Sequence, residues 1–408
     1  MQHTIEYVDP SEGFHGYLVY EGEGCRIAAG GCRVQPGLTA ETLQALAARM
    51  LDKQRLLGLS VDGAKCGIDY DPRSPGKAAA LSRFLVFLRQ ELGTRLSMGC
   101  DMGTGWHELE MLAAAEGIPS VKYSIRAAQE LSEVAFFNRL HLLDERVGQL
   151  TVGERRAGHA LAHAALAAAG HRGQPATGLR VAVQGFGNLG RAAAEGLVEA
   201  GAVITAVSDE FGCVVDPAGL DVRAMLATPA GREVRAMHAG RASLPREAIF
   251  DLPADALVLA AGSDAISLER AAVLPVPVVA VGANYGLSEL SEARLAERGV
   301  LVVPDFVAGA GGPASMNAVF GPERTPSPAE VLELVAETVH ELVADVLAGA
   351  RDRGLTPRQV AQGIAAAAEV PADARPYGNS PYLRTDKPRG RRVAVRPVRP
   401  TIAVDEAA

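Results

Sequence analysis

The six residues GFGNLG, 185–190, limit what this 408-residue chain can become more than any other stretch of it. They stand between the apolar run LRVAVQ and the helix-patterned RAAAEGLVEAG, and a second apolar run, AVITAVSD, follows. Short apolar runs bounded by turn signals read as buried strands, and the intervening period reads as a helix. Strand, glycine turn, helix and strand within about 30 residues make up a dinucleotide-binding βαβ unit. Gly185 suits the tight turn, Gly187 lets backbone approach a pyrophosphate at the helix N-terminus, and Gly190 allows close helix–strand packing. Phe186, Asn188 and Leu189 belong to the same turn and are read with it as cofactor contacts. Asp209, 19 residues past Gly190, closes the second strand. A carboxylate there can accept hydrogen bonds from a ribose diol, which favours NAD and leaves NADP possible.

Further apolar runs, ALVLAA ending at Ala261, VPVVAVGA and VLVVPD, are spaced as parallel strands with crossovers require. The chain is therefore expected to be α/β with two domains and a cleft between them. Residues 1–135 form an N-terminal mixed-sheet substrate-binding and oligomerisation domain, and 136–335 a doubly wound Rossmann-type NAD(P)-binding domain. Residues 336–370 are helices packing back on the first domain, and 371–408 a flexible Pro/Arg-rich tail. Within the first domain the pattern predicts strands at GYLVYE and CRIAAG and a helix from Thr39, as its cap, to Leu57. Two more helices are predicted, one over 76–92 and one after Gly105. Residues 121–170 read as mostly helical. His159 and His163 lie one turn apart but lack the glutamate of a zinc motif, so they read as ordinary helix residues.

A net charge of −8 argues against a general nucleic-acid or membrane-surface binder. No apolar run is long enough to span a bilayer, and MQHTIEYVDPSEGF lacks the features of a signal peptide, so a cytoplasmic protein is expected. The five cysteines include no C-x-x-C pair and read as free thiols rather than metal ligands. No metal is expected.

The first domain supplies the charges. Lys53 ends the first helix, Lys65 sits in DGAKCGI between Gly63 and Gly67, and Asp101 sits in MGCDMGTG. For any one of these a plain salt bridge is the commoner explanation. All three together, in one domain beside a dinucleotide fold, suggest a cleft. A lysine near a second ammonium and away from water has its pKa lowered and can polarise a carbonyl or act as a base. The other can hold a substrate carboxylate, and the aspartate can move protons.

These residues also carry a family resemblance. The blocks AAGGCRVQP…LAARMLDKQRLLGLSVDGAKCGIDYDP, CDMGT, VAVQGFGNLGRAAAEGLVEAGAVITAVSDEFGCVVDPAGLD, VGAN and PDFVAGAGGPASMNAVF resemble the glutamate/leucine/phenylalanine/valine dehydrogenases, in order and with similar spacing. The resemblance implies hydride transfer between NAD(P) and an amino acid α-carbon. It implies Lys65 and Asp101 as catalytic residues, Lys53 as the partner of the substrate α-carboxylate, and Gly30 and Gly31 as the substrate-side glycine pair. Ala261 and Asn284 are implied at the cofactor. Where glutamate-specific members carry a lysine before the glycine pair this chain has Ala29, and Met316 stands where they place a serine. An unpaired buried carboxylate there would cost several kcal/mol, so an uncharged or unusual side chain is expected, nearer the leucine, valine and phenylalanine branch. An offset of one would put Ser315 at the second position. The nicotinamide-side positions depart from the family at Ala157, Asp264 and Gly309. The implied activity is reversible oxidative deamination of an L-amino acid to its 2-oxo acid and ammonia by a homo-oligomer. Two other readings stay open: an imine or 2-oxo acid reductase on the same scaffold, and a non-catalytic binding paralogue.

Overall fold

The stretch DGAKCGI is a strand, buried along its whole length at the middle of a five-stranded sheet. The computed structural model describes residues 2–229, 231–237 and 243–383. The first sheet comprises β1 (Gln2–Val8), β2 (His15–Glu21), β3 (Ala28–Val34), β4 (Asp62–Ile68) and β5 (Leu96–Cys100), in the order β1-β2-β4-β3-β5. β1 and β2 are antiparallel, as are β2 and β4, whereas β3 runs parallel to both β4 and β5. This is the expected mixed sheet, with differences in detail. The run expected at CRIAAG lies three residues later, because Arg26 and Ile27 lead into β3 rather than join it. β1 was not foreseen; most of its side chains are exposed and give little apolar alternation. Lys65 stands on a central strand rather than in a glycine corner.

A small ribbon, β6 (Arg146–Val147) with β7 (Leu150–Thr151), precedes the long helix Val152–His171. The second sheet follows: β8 (Arg180–Gln184), β9 (Val203–Ser208), β10 (Cys213–Val215), β11 (Ala256–Leu259), β12 (Val278–Val281) and β13 (Leu301–Val303). Its order is β10-β9-β8-β11-β12-β13, parallel throughout except for the edge strand β10. This is the doubly wound arrangement the sequence predicts, and β8, the helix Asn188–Glu199 and β9 form its βαβ unit. A division at residue 135 would fall inside the helix Glu133–Leu140.

Thr39 caps the helix Ala40–Leu56 as expected, accepting from the Thr42 amide. His159 is buried against the rest of its helix's packing surface, and His163 meets His340 at 2.9 Å between ring nitrogens. Among the described residues no helix is long and apolar enough to cross a membrane. Residues 371–383 are not a loose tail. Tyr377, Ser380 and Tyr382 are buried, and the Gln129 side chain donates to the Tyr377 carbonyl and accepts from its amide. The Arg-rich remainder of that expected tail lies outside the described residues.

Candidate active site

Lys53 and Lys65 meet because of how closely the helix Ala40–Leu56 lies on β4. A Cβ at Gly63 would stand 2.2 Å from the Ala47 carbonyl oxygen and 2.7 Å from the Leu51 nitrogen, so only glycine permits that approach. Lys53 leaves the last turn of the helix, and Lys65 leaves the strand two residues after Gly63. Both are buried, at 5% and 3% exposure, and both line one cleft of about 1100 Å³.

Asp101 joins them from just beyond β5. The glycine pair of β3 makes room: a Cβ at Gly30 would lie 1.6 Å from the Ala64 carbonyl oxygen, and one at Gly31 would lie 2.9 Å from the Asp101 Cβ. Lys65 Nζ stands 2.8 Å from Asp101 Oδ2, and Arg33 Nε donates to the same oxygen at 2.8 Å. Burial alone would raise the Asp101 carboxyl, but Lys65 and Arg33 beside it hold it at about 2. It is therefore a carboxylate at neutral pH. Burial pushes the Lys53 ammonium down to about 8; Asp305 opposes this, and Lys65 and Arg49 add to it. Lys53 thus holds its proton less tightly than a solvated lysine does.

Across the cleft, Gly185 has φ +93°, the left-handed region its turn requires. A Cβ at Gly190 would stand 1.8 Å from the Gly185 carbonyl oxygen, whereas at Gly187 it would meet nothing within 4 Å. Gly187 begins the helix Asn188–Glu199, with no side chain capping its first amides. Turn, open approach and tight packing are the three roles the motif needs, so the residues present fit a dinucleotide's pyrophosphate. Gly187, Asn188, Leu189 and Asn284 line the cleft. Phe186 is buried beneath the Arg191 guanidinium, and Ala261 packs against Gly185.

Asp209 follows β9 directly, and backbone amides hold its carboxylate. Its Oδ1 accepts from the Phe211 and Gly212 amides at 2.8 and 3.0 Å, and its Oδ2 from the Val234 amide at 2.7 Å. Three of the roughly four acceptor positions of the carboxylate serve backbone amides, two in its own turn and one at the start of the helix Val234–Met237. Asn284 also has an unforeseen partner: its Oδ1 accepts from Lys53 Nζ at 2.7 Å, a direct bond across the cleft. Gly309 belongs to the same contact, since a Cβ there would lie 3.0 Å from Lys53 Nζ. Ala157 lines the cleft, and Asp264, with φ +47°, sits beside it against Arg49 and Tyr285.

At the other end stand Ala29, Gly30, Gly31 and Met316. Ser315 is turned away, donating to the Gly312 carbonyl and accepting from Arg156 Nη1. Met316 is therefore the cleft residue of that pair. The same end holds Lys122, Arg156 and Tyr377, which sequence reasoning missed together with Arg33. Arg33 had a signal: it lies two residues after Gly31, on alternate-residue spacing in β3. Lys122 and Arg156 had none, because charges after a turn and on a helix look the same in sequence whether solvated or buried.

Two family models match, "Glutamate/Leucine/Phenylalanine/Valine dehydrogenase" over residues 151–374 and "Glu/Leu/Phe/Val dehydrogenase, dimerisation domain" over residues 2–116. The chain is 31% identical over 288 residues to the NADP-specific glutamate dehydrogenase A1 of Halobacterium salinarum, covering 69% of this chain and 66% of that protein. It is 28% identical over 305 residues to the NAD-specific glutamate dehydrogenase A of the same organism, covering 74% of this chain and 67% of that one. The chain thus spans about two thirds of the length of these relatives, just under it for the first. A solved structure of hetero-hexameric glutamate dehydrogenase from Thermus thermophilus, in a leucine-bound form, is 28% identical with a TM-score of 0.72, covering 90% of this chain and 87% of that one. The matched models span both sheets and the cleft between them, and on that ground the chain belongs to the Glu/Leu/Phe/Val dehydrogenase family of amino acid dehydrogenases.

Proposed function

We propose that this protein catalyses the NAD(P)-dependent, reversible oxidative deamination of an L-amino acid to its 2-oxo acid and ammonia. The observation that carries the reading is the Lys65–Asp101 pair, 2.8 Å apart, in the same cleft as Lys53 and opposite an open glycine turn. In this reading residues 1–135 hold the substrate and mediate assembly of a homo-oligomer, and residues 136–335 hold the cofactor. Relatives named for NAD and for NADP both resemble the chain. Asp209, directly after β9, favours NAD and leaves NADP possible.

Lys53 receives the substrate α-carboxylate; a partner anion restores the charge that burial disfavours. Lys65 lies where it can polarise a 2-oxo group or activate a water molecule. Asp101, ionised beside Lys65 and Arg33, accepts and returns protons as ammonia adds and water leaves. The nicotinamide, when bound, supplies or takes the hydride at the α-carbon. Ala29 and Met316 support an uncharged stem next to the glycine pair. The binding-only reading leaves unexplained why three charged groups stand together in a largely buried cleft.

The test mixes purified protein with NADH or NADPH, ammonia and a panel of 2-oxo acids, following loss of absorbance of the reduced cofactor. Turnover is expected, and Lys65→Ala should lower it by about a hundredfold to ten-thousandfold with the fold intact. No turnover with any acid and either cofactor would refute the reading.

A further inference from the structure

The wall of the cleft that includes Ala29 and Met316 also holds two buried cations that no carboxylate pairs with directly among the described residues, the Glu110 carboxylate acting on Lys122 only from beyond ion-pair distance. Lys122 is 3% exposed and Arg156 is 8% exposed. Among the described residues neither forms an ion pair, and the Lys122 ammonium has no hydrogen-bond acceptor. Its Nζ lies over the Trp106 ring, 5.7 Å from the centroid. Arg156 donates to the Ser315 hydroxyl at 3.3 Å and lies beside the Cys100 thiol.

The other buried basic residues show how unusual this is. Arg55 pairs with Asp62, Arg155 with Glu195 and Glu199, and Arg358 with Glu292 and Asp305. Arg139 and Arg191 donate to three backbone carbonyls each. Removing a cation from water without an anion costs several kcal/mol, so a fold keeps one only where something supplies the counter-charge.

Two neutral groups at the same place are also unsatisfied. Among the described residues, Ser97 Oγ and the Tyr377 hydroxyl are buried without hydrogen-bond partners. Ser97 pairs in register with Ala29 across β5 and β3, and both Ser97 and Tyr377 line the cleft with Lys122 and Arg156. Two cations and two hydroxyls, all short of acceptors, converge on one end of a cavity whose near wall is Ala29 and Met316.

We propose that Lys122, Arg156, Ser97 and Tyr377 form a receptor for an acidic group at the far end of the substrate side chain, with Ala29 and Met316 packing its apolar stem. The proposal rests on the dehydrogenase reading for the identity of the substrate's other end. The substrate class is then an α-amino acid, or its 2-oxo acid, carrying a second anionic group. This departs from the expectation of an uncharged side chain, which rests on positions 29 and 316 alone; the cations that replace a lysine at 29 come from distant segments. Burial, with Arg156 next to it, lowers the Lys122 ammonium to about 7, as fits a site that gains from an incoming anion.

The experiment uses the full chain and the variants Lys122→Met and Arg156→Met. One readout compares kcat/KM for 2-oxoglutarate and for the near-isosteric, uncharged 4-methyl-2-oxopentanoate. Wild type should favour the diacid, and each variant should lower that preference by about tenfold to a hundredfold, as losing a charge-assisted hydrogen bond does. The second readout is thermal stability with glutarate or pentanoate. Glutarate should raise Tm more than pentanoate does in wild type and not in Lys122→Met. With no ligand, Lys122→Met should melt no lower than wild type, because it deletes an unpaired buried charge; a structural cation would give the opposite. A preference for the uncharged acid that the variants leave unmoved would overturn the receptor while the dehydrogenase stood. Glutarate stabilisation lost on Lys122→Met, without turnover of any acid, would support the receptor and refute the dehydrogenase. An unstable Lys122→Met would overturn the proposal.

Discussion

At the scale of single residues, the two lysines divide their work through their partners. Lys65 is tied to a carboxylate at 2.8 Å, and Lys53 only to the amide oxygen of Asn284 at 2.7 Å. Burial brings the Lys53 ammonium down to about 8. It holds its proton below that value and loses it above, and only the charged form binds a carboxylate. We predict that kcat/KM for any 2-oxo acid falls about tenfold per unit as pH rises above about 8, whereas kcat at saturation holds to higher pH, because bound carboxylate raises the lysine again. A pH profile of both constants checks this; an unchanged kcat/KM up to pH 10 would remove Lys53 from substrate binding. The identities of Lys53, Lys65 and Asp101 were legible from their residue types and neighbours. Arg33, Lys122 and Arg156 were not, since nothing in the chain near them says that they are buried.

At the scale of elements, β4 and the helix Ala40–Leu56 act as one part. Gly63 sets their distance, and the distance places Lys53 over Lys65. Gly63→Ala would force the helix backbone outward, because the clash is with Ala47 oxygen and Leu51 nitrogen rather than with a flexible side chain. The expected outcome is a loss of about 1–3 kcal/mol in denaturant unfolding together with a fall in activity. Stability and activity both unchanged would show that the helix tolerates the shift. The glycines beside Lys65 were plain in the sequence. Their purpose was not, because whether a glycine serves a corner or a close approach depends on what lies opposite. The same limit explains β1, whose exposed side chains gave little periodic signal, and the segment 371–383, whose composition resembles a tail.

At the scale of the whole molecule, that segment ties the two domains together. The Arg26 amide donates to the Ala372 carbonyl, Arg375 pairs with Glu130, and the Gly378 amide donates to Asn317 Oδ1. Tyr377 then enters the cleft wall. A chain cut after residue 370 loses all of these at once, and its Tm is expected to drop by several degrees, about 4 °C or more, as the loss of a few kcal/mol requires. Unaltered melting would mean that the segment only rests on the surface. The Tyr285 hydroxyl, donating to the Ala45 carbonyl at 2.9 Å, and the Lys53–Asn284 bond add direct bridges across the cleft.

By itself the sequence determined the doubly wound second domain, the glycine turn at 185–190 and the residue types that meet in the cleft. These are local: a strand, a turn and a helix are written in spacing and in the conformations glycine allows. Tertiary structure alone decided which charges face each other. It set Asp209 on the amides of Phe211, Gly212 and Val234, gave Asn284 to Lys53, set Arg33 on Asp101, and brought Lys122, Arg156, Ser97 and Tyr377 into the wall of one cleft. Partnership of that kind depends on distances across the fold and on exclusion of water, and neither is carried by neighbours in the chain.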